Sequence, residues 1–247
     1  SLEKLITYEN YDQKYKEKHH KISKIYGKID SEVFQRYFYQ LKSISEKNDF
    51  GNEVIKNLKY DLNQDLDKLN ELITQRYSGI HLYKTMNKIL LSSDFYEAIA
   101  YFTARIMYSL NTYAEKNKKF CTQNQKLYFG IKLPYTCLLQ YERAIGKAIC
   151  FSSFTSTTEN EGIARNNAGR NNAKEQNDLH SIFSVVITIN NIYKDGYIPN
   201  VIDINPESKN SDEREYVFQP FSFFRLTNIS IDVNISLYTF NNIYMGY

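Results

Sequence analysis

The chain of 247 residues has no tryptophan, three cysteines, four prolines and nine glycines. So little Gly and Pro excludes collagen-like and low-complexity architectures. Cys121, Cys137 and Cys150 are odd in number and lack metal-ligand spacing, which favours reduced thiols in an intracellular, reducing compartment over a disulfide scaffold. No stretch approaches 18 consecutive apolar residues, so no membrane span is expected. An excess of one charge is missing too: 31 basic residues face 28 acidic ones, a net +3. That balance leaves no basic footprint for nucleic acid. The start, Ser1-Leu2-Glu3-Lys4, has neither an initiator Met nor the basic-then-apolar order of a signal peptide. It reads as the edge of an excised fragment, which keeps secretion open.

What is present is a globular composition, 42% hydrophobic and 24% charged, with 22 Tyr and 15 Phe. A chain this long buries roughly three quarters of its unfolded surface, enough for one large or two modest domains. The first 115 residues read as helices. Leu5, Tyr8 and Tyr11 start a helical pattern that dissolves into the charged run from Lys14 to Lys21. Phe34, Tyr37, Phe38, Leu41 and Ile44 recur at helical spacing behind the cap Asp30-Ser31. Ile55, Leu58, Leu62, Leu66, Leu69 and Ile73 form almost a heptad seam, a face able to dock a protein partner. A short helix from about Leu82 to Leu91 and a longer one to about Tyr113 follow.

Near residue 125 the texture changes. Leu127 to Phe129, Ile149 to Phe151, Ile182 to Ile189, Val201 to Ile204 and Glu215 to Phe218 are β-branched and aromatic, hence strands. So are Phe223 to Leu226, Ile229 to Val233 and Ile235 to Phe240. Between them, Asn160 to Asp178 is a polar tract expected to be a solvated loop or frayed helix. Helices first and strands afterwards indicate an α+β chain.

The four histidines, His19, His20, His81 and His180, form no metal pair, and no metal is expected. Phosphate-cradling glycine loops and a Gly-x-Ser-x-Gly nucleophile elbow are also missing. Two segments carry chemistry. Phe151-Ser152-Ser153-Phe154-Thr155-Ser156-Thr157-Thr158 is a hydroxyl-rich run directly after a strand. Glu213-Arg214-Glu215 then leads from a polar loop into a strand, and on an extended strand carboxylates two apart project to the same side. Alone, the hydroxyl run reads as ordinary turn material and the carboxylate pair as a solvated strand face.

Together they resemble the mono-ADP-ribosyltransferases, particularly the arginine-specific branch. That family carries Tyr-Arg-Gly on a first strand, then Phe-x-Ser-Thr-Ser, then Glu-x-Glu. The corresponding residues are Tyr128-Phe129-Gly130, Phe154-Thr155-Ser156-Thr157-Thr158 and Glu213-Arg214-Glu215. Downstream, Tyr216-Val217-Phe218-Gln219-Pro220 and Phe223-Phe224-Arg225-Leu226 continue the pattern, and Tyr83 to Leu90 looks like the family's helix before the first motif. The resemblance covers about residues 75 to 247. It implies a helical region at 1–74 followed, at 75–247, by a core of two packed, mainly antiparallel sheets that clasp NAD as a substrate. It also implies catalytic roles for Glu215, Glu213 and Ser156. Tyr128, Phe129, Gly130, Thr157 and Thr158 would border NAD, and the acceptor would be a protein arginine.

Phe129 departs from the motif, because the family's Arg grips the dinucleotide through directed hydrogen bonds that Phe cannot make. Its ring offers stacking instead. Two readings stay open at this point: a protein-arginine ADP-ribosyltransferase that binds NAD weakly, and a catalytically inactive pseudoenzyme kept as a structural or protein-binding module.

Overall fold

A computed structural model of the chain describes residues 6–7, 13–26, 87, 90, 97–119, 125–169, 182–190, 201–204, 214–232 and 237–244. The chain divides into two compact units. One comprises Ser1–Tyr11, Phe120–Asn205 and Asn210–Tyr247, the other Asp12–Lys119 with Pro206–Lys209. The expected boundary between residues 74 and 75 lies outside the described residues, as do the expected second helix and the seam from Ile55 to Ile73.

In the helical unit, α1 (Gln13–Tyr26) packs against α2 (Glu97–Asn117). The charged run from Lys14 to Lys21 is therefore helix, held by a buried Ile22 and a buried cation. Lys18 is only 3% exposed and donates from Nζ to the Leu90 carbonyl at 3.1 Å, the compensation that a buried ammonium requires. α2 buries Ala100, Tyr101, Phe102, Ala104, Ile106, Leu110 and Ala114. That is a wider apolar face than the single stripe its sequence suggests. His19 is half-buried and His20 exposed, so only one of the pair is fully solvated.

The other unit is built on strands. Its elements in chain order are β1 (Ile6–Thr7), β2 (Lys126–Pro134), helix α3 (Tyr135–Arg143), β3 (Ala148–Phe151), β4 (Thr155–Thr158) and helix α4 (Glu161–Ala168). Then come β5 (Ile182–Asn190), β6 (Val201–Asp203), β7 (Glu215–Phe218), β8 (Ser222–Asp232) and β9 (Leu237–Tyr244). The lateral order is β1-β3-β8-β9-β5-β2-β4-β7-β6, antiparallel throughout except for the parallel β5–β9 pair. The six-strand and three-strand ladders meet at one residue pair, Tyr128 opposite Thr158. The expected α+β class with mainly antiparallel sheets is thus what the chain adopts.

Alternation places the core. In β2, Leu127, Phe129, Ile131 and Leu133 turn to one side and join Phe151, Ile187, Phe218 and Phe224. Each fully buried side chain of this kind contributes roughly 1.5–3 kcal/mol. β5 is covered on both faces, Val185, Ile187 and Ile189 in that core and Val186 under α4 with Ala164 and Ala168. It therefore reads as a nearly continuous apolar run.

Three elements refine the expectation or depart from it. Leu5 to Tyr11 was expected to open a helix, yet Ile6–Thr7 pairs with Cys150 and Ile149. Two β-branched residues beside the open edge of β3 favour that pairing. Of the polar tract, expected to be a solvated loop or frayed helix, Glu161–Ala168 is a capped helix, α4, and 170–178 lies outside the described residues. The Asn160 side chain accepts from the backbone N–H of Gly162 at 2.9 Å, and Gly169 closes the helix at φ 76°. The two strands expected at Phe223–Leu226 and Ile229–Val233 are one, β8, whose register shifts between Leu226 and Asn228 at a bulge.

Candidate active site

β4 and β7 are short antiparallel partners whose register sets the site. Thr158 stands opposite Glu215, Thr157 opposite Tyr216 and Ser156 opposite Val217. Because residues two apart share a face, Ser156 and Thr158 lie on the same side as Glu215. The Ser156 hydroxyl donates to Glu215 Oε1. Both residues are half-buried, whereas Thr157 and Thr158 are buried. Thr157 Oγ1 donates to the Tyr216 carbonyl at 2.9 Å, and Thr158 Oγ1 accepts from Asn160 N–H at 3.0 Å. A carboxylate so placed has one oxygen fixed by a charge-assisted hydrogen bond, which holds its rotamer.

The first motif joins the same row. Tyr128 pairs with Thr158 on one side and Thr188 on the other, so Tyr128, Thr158 and Glu215 line up across β2, β4 and β7. The Tyr128 ring packs against Ala164, Ala168 and Val186. Burial, and then the Glu161 carboxylate, push its phenol above the ordinary range. Gly130, on the same side of β2, lies directly beneath α4. A Cβ there would stand 1.8 Å from the Ala164 carbonyl oxygen, so the absence of a side chain is what lets the helix approach. Phe129 points the other way. It is half-buried against the core, and its ring meets Phe151 edge-on at 6.5 Å.

Glu213 lies outside the described residues. Its neighbour revises the geometry expected of the pair. Arg214 adopts φ 43°, in the left-handed region, and β7 begins only at Glu215. The rule that residues two apart on a strand point together therefore does not apply across Arg214.

A further carboxylate, which the motif pattern does not include, belongs to this neighbourhood. Glu159, directly after β4, accepts from the Tyr216 hydroxyl through Oε1 and pairs with Arg214 Nη1 through Oε2 at 3.1 Å. The Tyr216 hydroxyl in turn accepts from Gln125 Nε2 at 2.8 Å. No sequence spacing announces this network, since Gln125, Glu159 and Tyr216 meet only through strand register.

Among the described residues Cys137 and Cys150 are buried and in no disulfide, and burial pushes the Cys150 thiol above its ordinary range. No described helix is long and apolar enough to cross a membrane.

No family model matches the chain, and no curated protein matches it. Solved structures do. The Vis toxin, an ADP-ribosyltransferase from Vibrio splendidus, is 18% identical, with 88% of this chain and 87% of that chain covered and a TM-score of 0.52. The Clostridium limosum C3 exoenzyme is 13% identical, with 85% and 95% covered and a TM-score of 0.51. Plx2a, an ADP-ribosyltransferase toxin from Paenibacillus larvae, is 12% identical, with 85% and 96% covered and a TM-score of 0.51. At these identities the likeness is one of fold: the chain has an ADP-ribosyltransferase fold.

Proposed function

We propose that the chain is a mono-ADP-ribosyltransferase that moves ADP-ribose from NAD to a protein arginine and releases nicotinamide. The observation that carries this reading is the Ser156 hydroxyl donating into Glu215 at the head of β7, on a fold shared with ADP-ribosyltransferases. The bond between nicotinamide and ribose breaks through a sugar cation, and the electron pair leaves with neutral nicotinamide. Glu215, one oxygen held by Ser156, stabilises the positive charge that develops on that sugar. A nitrogen of the acceptor guanidinium forms the new bond to the sugar carbon and gives up one proton. Since a guanidinium is protonated in water, a base is needed at that moment, and this is the part assigned to Glu213. Tyr128, Thr157 and Thr158 frame the strands beside the bound NAD, and no metal takes part in the scheme.

A second reading is favoured by Phe129, whose half-buried ring against Phe151 supplies no guanidinium to the dinucleotide. On that reading the domain is a catalytically inactive pseudoenzyme that binds a protein partner through its amino-terminal helices. One experiment separates the two: nicotinamide release from NAD by the purified chain beside Glu215→Gln. Release by the wild type and none by the variant, at equal melting temperatures, supports the enzyme. Full activity in Glu215→Gln would sink the site assignment, and silence from both at millimolar NAD would leave the binding module.

A further inference from the structure

The carboxylate of Glu159 holds both sequence neighbours of Glu215 at once, Arg214 through one oxygen and Tyr216 through the other. Glu215 needs such support. The chain before it is turned out of the strand by the left-handed Arg214, so regular pairing begins only at Glu215 itself. On the far side its carbonyl accepts from Ile204 N–H at 3.1 Å. The Glu159 side chain is 24% exposed against 67% for Arg214. The exposed ion pair is worth little by itself, and the hydrogen bond from Tyr216, a residue only 9% exposed, is the stronger half of the clamp. Gln125, just before β2, fixes the Tyr216 hydroxyl from its other side at 2.8 Å. Three strands, β2, β4 and β7, are thereby tied together at the point where Glu215 enters the sheet.

From this geometry we infer that Glu159 is a positioning residue for the transfer reaction. It sets the backbone from which the Glu215 carboxylate projects, while Ser156 sets the rotamer. The inference rests on the reading of Glu215 as the catalytic carboxylate. A displacement of about 1 Å at such a group costs up to roughly 100-fold in rate, so a partial loosening is expected to cost about 10-fold. Glu159 does not touch NAD in this scheme, so the effect falls on kcat and leaves KM alone.

The test measures nicotinamide release and thermal melting for wild type, Glu159→Ala, Glu159→Gln, Tyr216→Phe and the Glu159→Ala/Tyr216→Phe double variant. Glu159→Ala should lower kcat about 10-fold, with KM for NAD changed less than about 2-fold and the melting temperature nearly held. Glu159→Gln keeps an acceptor for the Tyr216 hydroxyl and should recover most of the lost rate. If the two residues act through one contact, the double variant should be no worse than Glu159→Ala alone. Should Glu159→Ala melt early, Glu159→Gln and Tyr216→Phe still decide the matter. Wild-type kcat in Glu159→Ala, strictly additive losses, or a loss confined to KM would overturn the inference while leaving the proposed function standing. Inactivity of the wild type would overturn both.

Discussion

Gly130→Ala is the perturbation whose size the fold specifies most directly. The added methyl would stand 1.8 Å from the Ala164 carbonyl oxygen, 2.7 Å from its carbonyl carbon and 2.8 Å from Ala168 N. All three are backbone atoms of α4, so no rotamer change relieves the clash. Restoring an ordinary contact of 3.4 Å to that oxygen displaces helix from strand by about 1.6 Å. Two effects compete. Gly130 is not at positive φ, so Ala gains about 0.4–1 kcal/mol by restricting the unfolded chain. Overpacking of a tight contact costs about 1–3 kcal/mol or more, and backbone on backbone belongs at the upper end. Sterics win by about 2 kcal/mol. At roughly 2–4 °C per kcal/mol for a chain of this size, the melting temperature should fall about 4–8 °C.

Calorimetric melting of wild type and Gly130→Ala measures this, with NAD titration of both at low temperature. α4 is capped by Asn160, next to Glu159, so a displaced helix also disturbs the clamp beside Glu215. A melting temperature unchanged or raised would refute the packing of α4 on β2. Unchanged stability with weakened NAD binding would instead make Gly130 a ligand contact, as the motif resemblance implies.

Ser156→Ala removes a hydrogen bond to a carboxylate worth about 1.5–3 kcal/mol, so kcat for nicotinamide release should fall roughly 10- to 100-fold; an unchanged rate would take Ser156 out of the site. Phe129→Arg would set an unpaired guanidinium on the core side of β2, against Phe151 and away from Tyr128 and Glu215, so NAD affinity by calorimetric titration should change less than about 2-fold. Stability should fall by about 1–3 kcal/mol, from the lost edge contact and the poorly solvated charge. NAD bound roughly 30-fold more tightly by the variant would refute that orientation and return Phe129 to the NAD site. His19 is held below the ordinary histidine range by burial and then by His20. As pH falls below about 6.5 the unfolded chain takes up that proton first, so stability is lost as the solution is acidified. His19→Gln should flatten the fall in melting temperature between about pH 7 and 5, and an equally steep fall in the variant would assign it to other groups.

What the sequence makes legible and what it hides follow from where the information resides. Strands β2, β5 and β7 are readable because β-branched and aromatic residues crowd into them, and Ser156 and Glu215 are readable because each sits in a motif on such a strand. α4 is nearly silent, since the residues it buries are Ala164 and Ala168, too small to mark an apolar stripe. Its signals are the cap at Asn160, the stop at Gly169, and a glycine some thirty residues earlier that makes room for it. α3 is hidden differently: Cys137, Leu138 and Tyr141 are spaced for a helix, but three apolar-face residues in a nine-residue segment directly after β2 are too few to mark one. The bulge at Thr227-Asn228 looks like a turn because polar residues interrupt the run, although the ladder to β9 passes through it. Hardest of all is Glu159. Its partners lie 55 and 57 residues away, and only the pairing of Thr158 with Glu215 brings them to it. The same pairing links the second motif to the third. If the Ser156–Glu215 contact is catalytic, the register that makes it also recruits Glu159, so the motif's reach extends one residue past the strand that carries it.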